Sequence, residues 1–392
     1  MAAAVRGRTY LVFGLARSGC AAGALLRRQG AAVLGFDDAG DAEVRDRWAA
    51  QGLSELAATA FDEIHTGGDW GPLAGRRLDG AVLSPGVPLE HPRVAEVGQR
   101  VPVWGELEWA SRFCAARTVA ITGTNGKTTT TELAAHLARA AGWRAEALGN
   151  VGRPLAERAD RLGPDDLAVL EVSSFQLETI VSFAPQVAVV LNLEPDHLDR
   201  YPDVRAYYAA KRRLVEALPA DGHYVTWTEC AEARAWPSPQ PARLFGERAA
   251  GARVWVEGDR LRLADEDGAR DLVGVGELAI QGAPNLLNAM AAVAALRALG
   301  ADPAALAAAL PTFRGLPHRQ RVVGRLGGVV FVDDSKGTNV AAVRAGLAGY
   351  GAGVVLIAGG RGKGEDYRPL RDALGAVEAV VLIGEEGPAI GA

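Results

Sequence analysis

Ile121-Thr122-Gly123-Thr124-Asn125-Gly126-Lys127-Thr128-Thr129-Thr130 joins an apolar, β-branched run at 118–122 to a helical pattern at 128–141 that Gly142 stops. A strand, a glycine loop and a helix in that order make a phosphate cradle. Glycine lets backbone N–H groups approach an anion, and the helix N-terminus adds positive partial charge. Lys127 can then reach terminal phosphates, and the Thr128 hydroxyl can take a magnesium ion. A strict Walker loop has glycine where Ile121 stands, so this is a shorter G-x-x-G-K-T form. ATP binding by Gly123, Thr124, Asn125, Gly126, Lys127, Thr128 and Thr129 is the first expectation.

Around that loop the chain is ordinary in bulk and unusual in detail. Its 392 residues carry a net charge of -5, which argues against a nucleic-acid surface, and the length allows more than one domain. Only four lysines occur, Lys127, Lys211, Lys336 and Lys363, and only six asparagines, Asn125, Asn150, Asn192, Asn285, Asn288 and Asn339. Where arginine serves for every ordinary surface charge, the surviving lysines are marked for chemistry. A guanidinium cannot imitate a compact ammonium or readily lose its proton. Cys20, Cys114 and Cys230 match neither a disulfide framework nor a zinc motif. No segment reads as a signal peptide or membrane helix, so a cytoplasmic protein without membrane insertion is expected.

The alternation of strands and helices predicts an α/β chain of three domains. Residues 1–104 read as Rossmann-like, with strands at 9–14, 32–37 and 80–83 and the turn Gly14-Leu15-Ala16-Arg17-Ser18-Gly19. Residues 105–315 read as a P-loop ATPase-like parallel sheet, with strands at 118–122, 167–172 and 186–193. The same domain carries a small antiparallel sheet around the hairpin 253–263 and an alanine-rich helix at 285–299. Residues 316–392 follow a linker at 311–317 and read as a second Rossmann-like domain, with strands at 329–332, 354–358 and 379–383. That last domain is short for its class and is expected to be incomplete.

Parallel sheets gather ligands at the carboxyl ends of their strands. Glu171 stands there ahead of Val172-Ser173-Ser174-Phe175-Gln176, and Asn192 leads to Asp196-His197. Glu171 is a candidate magnesium ligand, and His197 a ligand or base. Lys211, inside a helical pattern, joins them through the scarcity of lysine. Two cationic loops, Asp334-Ser335-Lys336-Gly337-Thr338-Asn339 beside His318-Arg319, and Gly359-Gly360-Arg361-Gly362-Lys363, are either plain glycine turns or, as their repetition in one unit favours, loops expected to face a nucleotide phosphate or a carboxylate. The Gly14 turn, with Asp37 ending the second strand, is either a diphosphate or ribose cradle or a plain tight turn. Ala16 in the middle-glycine place makes it a poor NAD fingerprint.

These segments, with Gly149-Asn150-Val151-Gly152, Asn285-Leu286-Leu287-Asn288 and Gly315-Leu316-Pro317-His318-Arg319, resemble the Mur ligases, ATP-dependent amide-forming enzymes of peptidoglycan precursor synthesis. The Gly14 turn and Ser84-Pro85-Gly86-Val87-Pro88-Leu89-Glu90-His91-Pro92 favour the branch that adds D-glutamate. The resemblance implies a cytoplasmic monomer acting on UDP-MurNAc-L-Ala and D-glutamate through an acyl phosphate. It implies catalytic roles for Lys127, His197, Lys211 and Lys336. Two Mg2+ ions would be held by Thr128, Glu171, His197 and Lys211, the last as a carbamate. Asn288 and Arg319 would grip the ATP base and phosphates, and Asp334 the ribose. Leu15, Ala16, Arg17, Ser18, Gly19, Asp37 and Ser84 would hold UDP, while Asn150, Ser173, Gln176 and Lys336 would face substrate. Two departures stand out. Pro284 replaces the family's usual histidine, and the segment with serine and aromatic contacts to D-glutamate has no counterpart. The alternatives are another Mur-family or folylpolyglutamate-type ligase, or a shortened form that binds substrate without turnover.

Overall fold

The computed structural model describes residues 5–265, 268–280, 282–362 and 366–392, and the chain in it forms two compact units. The first comprises residues up to Ala120, Trp143–Gln186 and Glu216–Asp221; the second comprises Ile121–Gly142, Val187–Val215 and the chain from Gly222 onward.

In the first unit, β1 (Thr9–Phe13), β2 (Ala32–Phe36), β3 (Glu63–His65), β4 (Gly80–Leu83) and β5 (Val103–Gly105) form an all-parallel sheet in the order β3-β2-β1-β4-β5. The nearly continuous burial of β1, β2 and β4 is what a parallel sheet covered on both faces requires. Leu11, Phe13, Leu34, Phe36 and Trp70 fill one face. Leu15, Cys20, Val44 and Trp48 fill the other. Strand order reverses between β1 and β4, which opens a crevice beyond their carboxyl ends. The unit also takes in the start of β6 (Arg117–Thr122) and the parallel pair of β7 (Arg144–Gly149) and β8 (Asp166–Glu171). Arg28, near the end of the Arg17–Arg28 helix, ties that later segment down with a fork to both carboxylate oxygens of Asp160, each at 2.9 Å.

The helix Glu106–Ser111 is anchored by a carboxylate. Glu108 is fully buried, and its Oε2 accepts the backbone N–H groups of Val181, Ser182 and Phe183 at 2.8, 2.9 and 2.9 Å. Its Oε1 accepts from the Ser182 hydroxyl and from Arg112 Nη2 at 2.9 Å. Burial pushes its pKa up, but the Ser182 hydroxyl, the Val181 and Ser182 amides and Arg112 outweigh that and hold it below the ordinary value. Glu108→Ala strands these donors in the interior and is expected to cost about 3 kcal/mol or more. A depressed folded pKa means that the contribution is full above the unfolded value and fades as pH falls through the folded one. Thermal unfolding of wild type and variant at pH 7 and pH 4 checks this: the gap between midpoints should shrink at pH 4.

In the second unit, the end of β6 carries a long sheet in the order β14-β13-β12-β11-β10-β9-β6. Its strands are β9 (Val187–Val190), β10 (His223–Trp227), β11 (Arg243–Gly246), β12 (Val254–Glu257), β13 (Arg260–Asp265) and β14 (Gly268–Gly274). The hairpin read from period-two alternation is present as β12–β13. It is not a separate small sheet, because β12 pairs in parallel with β11 and so covers an edge that would otherwise leave a row of unpaired backbone groups. The alanine-rich helix spans Ala283–Ala298, starting before Asn285 because Pro284 fits its first turn.

The last module has β15 (Arg321–Leu326) antiparallel to β16 (Val329–Asp333), and β17 (Val354–Gly359) parallel to β18 (Val377–Ile383), as two separate pairs. β15 was not foreseen, since its sequence shows no clean alternation. Lys363 lies outside the described residues. Among those described, no helix is long and apolar enough to cross a membrane.

Candidate active site

The glycine loop sits where the sequence placed it, between β6 and a helix at Lys127–Ala140. Gly126 adopts φ +85°, and a Cβ there would stand 2.3 Å from Asn288 Oδ1, so both the backbone conformation and the space demand glycine. Lys127 Nζ donates to the Gly123 and Thr124 carbonyls at 2.9 and 2.8 Å. Lys211 Nζ, on the Val204–Glu216 helix and 1% exposed, donates to the same Gly123 carbonyl at 2.9 Å. Two of the four lysines therefore meet on one loop oxygen.

Five of the six asparagines serve this loop. Asn192 accepts the Asn125 N–H at 2.8 Å and returns a bond to the Asn125 carbonyl at 3.0 Å. Asn288 Oδ1 accepts from Thr130 at 3.1 Å and is itself steadied by Asn285 at 3.4 Å. Asn339 exchanges side-chain bonds with Asn125. The strand read at 186–193 is shorter in fact, which leaves Asn192 beyond its tip to make these contacts.

Tyr207 gathers the two candidates for a second metal. Its ring packs edge-on to His197 at 5.9 Å between centroids, and Lys211 Nζ lies 4.5 Å above it. The Tyr207 hydroxyl is buried, and burial raises its pKa. His197 has φ 55°, and the other non-glycine residues with left-handed backbone among those described are His318 and Gln320, on either side of Arg319. Such conformations cost energy and persist where surrounding contacts enforce them, often at functional positions. Arg319 Nη2 donates to the Thr128 hydroxyl at 2.8 Å. Asp334 accepts the Gln320 N–H at 3.1 Å, and burial raises its pKa against that bond. Lys336 is exposed, its amide bonded to the His318 carbonyl at 3.1 Å.

In the first unit a cleft of about 390 Å³ opens at the β1/β4 crevice. Ala16, Arg17, Ser18, Asp37, Ser84 and Asn150 line it, whereas Leu15, Gly19, Ser173 and Gln176 do not. Leu15 is a core residue whose N–H donates to Asp37 Oδ2 at 2.8 Å. Gly19 is required by close packing, since a Cβ would stand 1.9 Å from the Gly14 carbonyl oxygen. Ser173 and Gln176 cap the short Ser174–Leu177 helix reciprocally. Asp37 also accepts from Arg47 at 2.7 Å, so much of its capacity holds the turn in shape. Glu171, 3% exposed, accepts from Asn150 at 3.0 Å through Oε1, and its buried Oε2 has no hydrogen-bond partner.

A protein from Acidobacterium capsulatum named UDP-N-acetylmuramoylalanine--D-glutamate ligase is 39% identical over 390 residues, covering 97% of this chain and 82% of its own length. The chain belongs to the Mur ligase family. The profile of the Mur ligase middle domain matches residues 121–296. A protein of the same name from Pelotomaculum thermopropionicum is 40% identical over 384 residues, 96% of this chain and 83% of that one. The solved UDP-N-acetylmuramate-alanine ligase of Thermotoga maritima shares the fold, with a TM-score of 0.61 at 19% identity over 98% of this chain and 87% of that one. This Mur ligase is an ATP-dependent, amide-forming enzyme of peptidoglycan precursor synthesis.

The family motifs missed part of this Mur ligase's cleft. Arg47, outside every motif, lines it, as does His91 from the Ser84–Pro92 motif. Arg47 leaves a buried Nε without a partner, and His91 Nε2 lies 2.9 Å from Asp38. Arg47 was invisible as one arginine among many. Glu106 lies outside that lining: it is 1% exposed, accepts the Ala156 N–H at 2.8 Å, and burial pushes its pKa up to about 7.

Proposed function

We propose that this chain joins D-glutamate to the L-alanine carboxylate of UDP-MurNAc-L-Ala. The observation that carries the chemistry is the meeting of Lys127 and Lys211 on the Gly123 carbonyl, at the mouth of a loop shaped for phosphate. In this reading the alanine carboxylate takes the γ-phosphoryl group of ATP, and ADP leaves. The D-glutamate amine then adds to the acyl carbon, and inorganic phosphate and a proton depart as the amide forms. Lys127, the loop amides and Arg319 hold the phosphates and offset the charge spread over them. Asp334 is assigned to the ribose, Asn288 to the base and Lys336 to the substrate carboxylate. The cleft suits the UDP moiety, with Arg17 and Arg47 as its cations. Ser173 spends its proton on Gln176, so toward substrate it would serve as an acceptor.

Magnesium fits the residues present. It takes one or two carboxylates and completes its shell with phosphate oxygens and water, and the orphan Oε2 of Glu171 is a buried carboxyl oxygen lacking a partner. Glu171 and Thr128 are each proposed as magnesium ligands, and His197 and Lys211 would hold the second ion; the ions would neutralise phosphate charge. As an ammonium, Lys211 cannot ligate a metal. Two cations on one carbonyl repel, and a carbamate on Lys211 would remove that repulsion and supply oxygen ligands. The reading keeps three functional domains, at 1–104, 105–315 and 316–392, in a cytoplasmic monomer.

The test is phosphate release from ATP and magnesium with UDP-MurNAc-L-Ala, comparing D-glutamate, lysine and diaminopimelate. Release is expected only with both substrates and only with D-glutamate. Equal release with lysine, or none with D-glutamate, refutes the assignment.

A further inference from the structure

We infer that Asn339 is a positioning residue that registers the loops of the last module on the nucleotide loop through a reciprocal amide pair with Asn125. Asn339 is 9% exposed and caps the Val340–Leu347 helix, its Oδ1 accepting the Ala342 N–H at 2.8 Å. Only an oxygen can take that N–H, so the cap fixes which way the amide points. Nδ2 must then face away from the helix, and it donates to Asn125 Oδ1 at 3.0 Å. Asn125 Nδ2 returns a longer bond to Asn339 Oδ1 at 3.4 Å. Asn192 already holds the Asn125 backbone, so what Asn339 sets is the side chain.

A second tie between the same parts is Arg319 to Thr128. The two ties differ in kind. A guanidinium is drawn to any phosphate that arrives, and Arg319 can be taken from Thr128 by the nucleotide itself. The neutral amide pair carries no charge for an arriving phosphate to draw away. It keeps register while Arg319 changes partner, and so it keeps the loops bearing Arg319, Asp334 and Lys336 seated on the phosphate cradle. The side-chain type follows from this double duty. Aspartate would cap the helix as well as asparagine does, but it has no proton for Asn125 Oδ1 and would set oxygen against oxygen.

The inference rests on the ligase reading for its kinetic readout and on nucleotide binding for an independent one. Asn339→Asp, Asn125→Ala, Asn339→Ala and the double alanine variant are compared with wild type by steady-state kinetics, by calorimetry with ADP and by thermal unfolding. Asn339→Asp should lower kcat/KM for ATP and weaken ADP binding by about tenfold. The KM for the UDP substrate and the unfolding midpoint should stay at wild-type values. The double alanine variant should bind ADP no worse than Asn125→Ala alone. Wild-type ADP affinity in Asn339→Asp, additive losses in the double variant, or a parallel rise in the KM of every substrate overturns the inference. If wild type shows no turnover, the ligase reading has failed while the ADP cycle still decides the role of Asn339.

Discussion

Lys127→Ala is expected to lower ATP-dependent phosphate release by about a thousandfold or more, the scale seen when a preorganised cation or donor at a reacting phosphoryl or oxyanion is lost. Lys127 is the first residue of its helix, and its ammonium bridges two carbonyls of the loop. It therefore stiffens the cradle and supplies charge that no neighbouring arginine reproduces in so compact a form. Alanine is the best helix former, so the helix itself should persist. A thermal midpoint close to wild type, combined with lost turnover, is the expected pair of results. More than about a tenth of wild-type turnover, beyond what a single lost phosphate contact allows, contradicts the assigned role.

Lys211→Arg is expected to be nearly as severe, about a hundredfold or more in turnover, although the formal charge is unchanged. The side chain is enclosed, with the Gly123 carbonyl at its tip and the Tyr207 ring beneath it. A planar guanidinium is broader than an ammonium and overpacks such a space. It also can form no stable carbamate. Turnover should fall further than ADP affinity, because the proposed second ion serves the reacting phosphoryl group rather than the base and ribose. Kinetics and ADP calorimetry on the same preparation check this; an Arg variant with wild-type turnover removes Lys211 from the metal assignment.

Much of the site was legible in the chain because it is built from short, local devices. The nucleotide loop needs glycine at two backbone positions and a lysine at the helix start, and all three fall within the five residues Gly123–Lys127. The rarity of lysine and asparagine sharpened this, and five asparagines do converge on the loop. The cleft of the first unit was legible in its glycine turn, Arg17 included, but not in Arg47. Arg47 could not be told from its fellow arginines until β1, β2 and the Asp41–Gln51 helix brought it onto Asp37. Ser173 and Gln176 were read as substrate-facing from a motif, yet their spacing of three is also that of a capping box, which the helix end satisfies.

Alternation of strand and helix, the phosphate loop and the scarcity of two residue types were sufficient to establish an α/β chain with a phosphate loop, and the resemblance of its motifs implied a ligase. These signals are carried by neighbours in the chain, where backbone geometry links sequence to conformation directly. Three features needed the folded chain: the sharing of the Gly123 carbonyl by Lys127 and Lys211, the orphan oxygen of Glu171, and the pairing of Asn125 with Asn339 across 214 positions. Hydrogen bonds and burial between distant segments depend on how sheets and helices pack, and no local pattern encodes which distant partner a polar side chain will meet.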